Sequence, residues 1–164
     1  MKSLREPQVA LIDRDAILAT LRETADRAAL LADGFALAHL NARPGAGDWS
    51  MAEIMAHLAL EETLAVLTRL KRLAVERESG REATDGVLVH PKPVSFAAEL
   101  ARFRAARINT LRLLQNLSAE QWERSRGTQH LEFDSVESYA RSVAEHDIEL
   151  LAQMETTAAI CGAC

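Results

Sequence analysis

Apolar residues recur along this chain at alternating spacings of four and three, the pattern of helices that bury one face. In the first run, Ile17, Leu21, Thr24, Ala28, Leu31, Phe35 and Ala38 form such a seam. It predicts a helix from Asp15 to about Asn41, with Gly34 as a soft spot costing about 1 kcal/mol relative to alanine. Residues before about Asp13 read as a lead-in, with Pro7 breaking any earlier helix. Pro44, Gly45 and Gly47 then make a loop that cannot continue a helix. Ser50, with Glu53 three residues on, is a capping box. It opens a second helix running to about Arg77, whose apolar positions are Met51, Ile54, Leu58, Leu64 and Leu67. Within it His57 and Glu61 lie four apart and share a face with Ile54, Leu64 and Thr68.

The stretch 79–94 is polar and holds Gly80, Gly86, Pro91 and Pro93. A connection of that length either crosses the end of a bundle or covers a site. A third helix starts near Ser95, with a seam of Phe96, Leu100, Phe103, Arg107, Thr110, Leu114 and Leu117. On such a seam Arg107 reads as a snorkelling side chain, its stem packed and its head in water. The alternative is a carboxylate partner inside the bundle. Ser118 to Gln121 is a second capping box, starting a short turn that holds Trp122. The fourth helix begins near Ser135 and carries Val136, Tyr139, Val143, His146, Leu150 and Met154 on its seam. His146 therefore points inward, as His57 does, with Glu149 and Gln153 close to the same face. The uncharged tail from Thr156 is expected to fray.

Four such helices in 164 residues make one all-α domain over 1–164, a four-helix bundle. Alanine and leucine dominate and aromatics are only 4%, which favours helix over sheet. The net charge is −5 with no block of lysine and arginine, so a nucleic-acid surface is excluded. No apolar run is long enough for a membrane span and no signal pattern opens the chain, so a cytoplasmic protein is expected. Cys161 and Cys164 stand together at the C-terminal end and staple nothing in the core.

An inward histidine on each of two helices, with Glu61 beside one of them, predicts a polar site inside the bundle. One reading is a buried pair, His57 facing His146, hydrogen-bonded to Glu61 and to Tyr139 or Arg107. The other is a cation site, and a resemblance bears on it. The stretch RPGAGDWSMAEIMAHLALEE at 43–62 is similar to R-P-x-x-x-x-W-S-x-x-E-I-x-x-H-L-x-x-x-E of the DinB-like superfamily of bacterial four-helix-bundle proteins. Phe103 and Arg107 resemble its F-x-x-x-R step, and LSAEQWERS its L-x-x-x-x-W-x-R segment. HLEFD at 130–134 is similar to its H-P-E-F-G, with Leu131 and Asp134 replacing proline and glycine. HDIELLAQM at 146–154 resembles its H-D-x-x-H-L-x-Q-I.

The resemblance implies an up-down-down-up bundle with the 79–94 stretch as its crossover. It also implies a divalent metal, nickel or zinc, held by three histidines. Two of these fall at His57 and His146, but the third falls at Leu150, which cannot ligate. A carboxylate must then complete the set, either Glu61 or Glu149, giving two histidines and one carboxylate as zinc and non-haem iron accept. Glu149 points about 100° away from position 150 and reaches less directly. His130 is a further candidate. By resemblance the chain is a metal-dependent thiol S-transferase or hydrolase and a homodimer, with a small thiol or other substrate and Glu61 as ligand or general base. The alternative is a metal-free bundle that binds a small molecule or serves as a dimeric, stress-associated protein.

Overall fold

The computed structural model describes residues 6–75, 92–93, 95–125 and 133–162. Among them there are helices and no strand. Helix α1 (Glu6–Ala32) begins earlier than the sequence suggests. Pro7 stands in its first turn, where a missing N–H costs nothing. The helix also ends earlier. Gly34 adopts a φ of 78°, the left-handed conformation that stops a helix. The expected run to Asn41 is thus two helices, α1 and a short α2 (Leu37–Asn41).

Helix α3 (Met51–Glu61) starts on the predicted capping box. The Glu53 amide donates to Ser50 Oγ at 3.2 Å, and the Ser50 amide donates to Glu53 Oε2 at 2.9 Å. Arg43 Nε donates to the same carboxylate at 2.9 Å, which ties the preceding loop down. After Glu61 the chain widens into a π-helical stretch (Glu62–Val66), then resumes as α4 (Leu67–Val75). This shifts the helix face. Leu64 is 58% exposed and Thr68 is exposed, against their expected place on the seam, while Val66, Leu70, Leu73 and Ala74 turn inward. A π turn accommodates one residue more than an α turn, so every later side chain rotates by a step.

Helix α5 (Phe96–Asn116) is capped by Ser95, and its seven predicted seam residues are all buried. Helix α6 (Ala119–Glu123) is the short turn that buries Trp122. Helix α7 (Val136–Cys161) begins at the Ser135 cap and does not fray at Thr156. Thr157, Ala158 and Cys161 are buried along its last turns. Most of the 79–94 connection, with His90, lies outside the described residues, as do His130 and Cys164.

Side-chain contacts fix how the long helices run. Arg14 donates to the Leu114 and Leu117 carbonyls, Arg107 to the Leu21 carbonyl, and Arg104 to Asp26, so α1 and α5 are antiparallel. Thr24 meets Asp147 and Arg27 meets Glu155, so α1 and α7 are parallel. His146 meets Glu61 and Thr157 meets the Trp49 carbonyl, so α3 and α7 are antiparallel.

The apolar core lies in two blocks. Met51, Ile54, Met55, Leu58, Phe103, Leu150 and Met154 belong to one. Ile17, Leu21, Val66, Leu70, Leu114, Trp122 and Val136 belong to the other. On each long helix, polar residues lie between the two: Thr24 on α1, Glu61 and Glu62 where α3 meets the π turn, Arg107 and Thr110 on α5, His146 and Asp147 on α7.

Candidate metal centre

The antiparallel register of α3 and α7 brings two side chains from one helix to one from the other. His146 Nε2 stands 3.0 Å from Glu61 Oε2, and His57 Nε2 stands 3.4 Å from Glu61 Oε1. The two imidazoles meet edge to face with centroids 5.8 Å apart. The Trp49 ring packs on His57 at 4.9 Å. Counting one turn in opposite directions from the Glu61–His146 contact puts position 150 across from His57. Leu150 is 6% exposed there and joins the apolar core.

One ligand atom from each of His57, Glu61 and His146 lies within 4.8 Å of the others. Ligands held about 2.0–2.1 Å from a tetrahedral cation are about 3.3–3.4 Å from each other. The two imidazoles approach different oxygens of Glu61, at 3.4 and 3.0 Å, and one ligand atom from each residue lies within 4.8 Å of the others, so the three could hold a divalent cation once the ligand atoms draw together. The chemistry also fits, because two imidazoles and one carboxylate are borderline ligands suited to zinc, nickel or iron(II).

Protonation follows from the same contacts. Burial pushes the Glu61 carboxyl up, but the hydrogen bond with His146 and the two nearby imidazoles outweigh it, leaving it below the ordinary carboxylate value. The hydrogen bond with Glu61 raises His146; burial opposes that rise, and the charges of Glu61, Asp147 and Glu149 add to it.

The candidates fare differently. His57, Glu61 and His146 come together. Glu149 has its carboxylate 3.9 Å from His146 Nδ1, its side chain is 79% exposed, and it is outside the three-residue donor group. Arg107 does not snorkel. It is 3% exposed and pairs with Asp147 and Glu62, so the carboxylate-partner alternative describes it. Glu62, Asp147 and Thr24 went unassigned in the sequence. The signal was present for two of them: the last glutamate of the 43–62 pattern falls on Glu62, and the aspartate of the H-D pattern falls on Asp147.

Residues 20–154, well over half of the chain, match the family model of the DinB superfamily. The chain belongs to the DinB superfamily. No curated protein matches it in sequence. The DinB match runs from within α1 to within α7 and includes every member of the donor group. Among the described residues no helix is long and apolar enough to cross a membrane.

Proposed function

We propose that this DinB-superfamily chain holds a divalent cation (nickel, zinc or iron) between His57, Glu61 and His146 and uses it for thiol S-transfer or hydrolysis. The observation that carries this reading is the convergence of three ligand atoms within 4.8 Å from two helices. A cation bound there lowers the pKa of a thiol or of water and so supplies a nucleophile near neutral pH. The chain's own groups do the rest. His57 is held by the Trp49 ring and by Glu61. Glu61 lies below the ordinary carboxylate value and is ionised near neutral pH, so one oxygen could ligate while the other could accept a proton from the thiol or water. Leu150 and the apolar block around it exclude water from the inner side, while the half-exposed His146 marks the open side.

A second reading has an observation of its own. The His146–Glu61 hydrogen bond satisfies both groups without a cation, as a metal-free binding bundle requires. Cobalt titration separates the two. The proposal expects near-stoichiometric cobalt uptake in the wild-type chain, lost in His57→Ala together with thiol-transfer or hydrolase activity. A wild-type chain that takes up no cobalt supports the metal-free bundle, and activity that survives unchanged in His57→Ala removes the site.

A further inference from the structure

Behind the donor group the bundle is crossed by a buried polar layer. Thr24 from α1, Glu62 from the π turn, Arg107 and Thr110 from α5, and Asp147 from α7 are each at most 3% exposed. Arg107 is its centre. Its Nη1 donates to Asp147 Oδ2 at 2.7 Å and to the Leu21 carbonyl at 3.1 Å. Its Nη2 donates to Asp147 Oδ1 at 3.3 Å and lies 2.8 Å from Glu62 Oε2. The Thr24 hydroxyl reaches Asp147 Oδ2 at 2.6 Å. The Arg107 guanidinium also lies 4.6 Å from the Phe103 ring centroid.

Such a layer is a poor source of stability. Removing charges from water costs several kcal/mol per ion, and apolar replacements are often neutral or stabilising. Two acids face one guanidinium; Glu62 Oε2 meets Arg107 as an ion pair without hydrogen-bond geometry, and Glu62 Oε1, Arg107 Nε and the Thr110 hydroxyl have no hydrogen-bond partner among the described residues. Sequence adjacency suggests what the layer does instead. Glu62 follows Glu61, and Asp147 follows His146. Neighbouring residues on a helix point about 100° apart, so gripping one fixes the rotation that aims the other. The π turn also begins at Glu62, the residue that Arg107 holds.

We infer that Arg107, braced by Thr24, is a positioning residue: by holding Glu62 and Asp147 in one buried grip it sets the rotation of α3 and α7, and so the separation of Glu61 and His146. This rests on the cation reading above. Arg107 and Thr24 are outside the donor group and act through the backbone of its neighbours.

Two variants test it. Thr24→Val keeps the side-chain shape and removes the hydroxyl that reaches Asp147. The triple variant Arg107→Met, Glu62→Gln, Asp147→Asn keeps the layer filled and leaves no unpaired buried charge. Cobalt titration is run on each, with circular dichroism and thermal unfolding to report the fold. Both are expected to fold and to bind cobalt about tenfold more weakly than the wild type, in the range seen when partners of metal ligands are removed. Wild-type affinity in the folded variants overturns the inference, and Thr24→Val alone decides if the triple variant does not fold. A wild-type chain that takes up no cobalt is a failure of the cation reading, and the positioning role is then read on the metal-free protein. The histidine ring resonances of Thr24→Val are compared with wild type at one pH. A shift at His146 with His39 of α2 unmoved supports the inference, and no shift at either overturns it.

Discussion

Tyr139 reports directly on the packing around the site. Burial pushes its hydroxyl up to about 12; Arg69 opposes the rise, and the charges of Glu61 and Glu62 add to it. Tyr139 is the one tyrosine in the chain, so phenolate absorbance reads this residue alone. We expect no phenolate signal through pH 10 while circular dichroism shows a folded chain, and a midpoint near 10 in the folded protein would contradict the burial. The His146–Glu61 pair makes a second prediction at this scale. His146 is raised above 6.5, so its contribution to stability is complete below that value and is lost as pH rises through the folded pKa. Glu61 is lowered below 4.5, so its contribution is complete above that value and is lost as pH falls through the folded pKa. Both are present together between 4.5 and 6.5. The thermal midpoint of metal-stripped wild type, minus that of Glu61→Gln, should therefore be largest in that window. A difference that does not vary with pH would show that the pair is not formed.

At the scale of elements, the starts of α3, α5, α6 and α7 were legible because each is written in local chemistry, whereas those of α1 and α2 were not. Ser50, Ser95, Ser118 and Ser135 all accept from the backbone amide three residues on. The breaks were less legible. Gly34 can be tolerated inside a helix or can end one, and only its backbone angle decides. The π stretch left no mark in the periodicity: it begins at Glu62, which is buried against Arg107, and the buried face is offset after it. That rotation is testable. Leu64 is on the surface and Leu70 is 1% exposed, whereas an unbroken α-helix puts Leu64 on the buried seam. Denaturant unfolding should show Leu64→Ala within about 0.5 kcal/mol of wild type. Leu70→Ala should cost about 2–5 kcal/mol. A large loss in Leu64→Ala would argue for continuous α-helix and against the shifted register.

For the whole molecule, periodicity was enough to give a helical bundle and most of its buried faces, though not beyond Gly34 or past the π turn, because a bundle core demands little beyond apolar residues at the right spacing. The donor group was legible as well, since His57 and His146 fall on those faces and Glu61 is one turn from His57. The polar layer was not. Periodicity makes a seam arginine look like a snorkelling one, and an acid next to a seam position looks solvent-facing. Only the meeting of Arg107 from α5, Asp147 from α7 and Glu62 from the π turn turns these residues into one unit. It lies between the two apolar blocks and beside the donor group, where Leu150 packs with the core and Glu61 stands between the imidazoles.

The cation is the central claim. Its most direct test is the metal content of protein prepared without a polyhistidine tag, measured by mass spectrometry after reconstitution, with His57→Ala and His146→Ala alongside. The account predicts near-stoichiometric nickel, zinc or iron in the wild type and its loss in both variants. A wild-type chain that holds no metal after reconstitution, or variants that hold as much as the wild type, would contradict it.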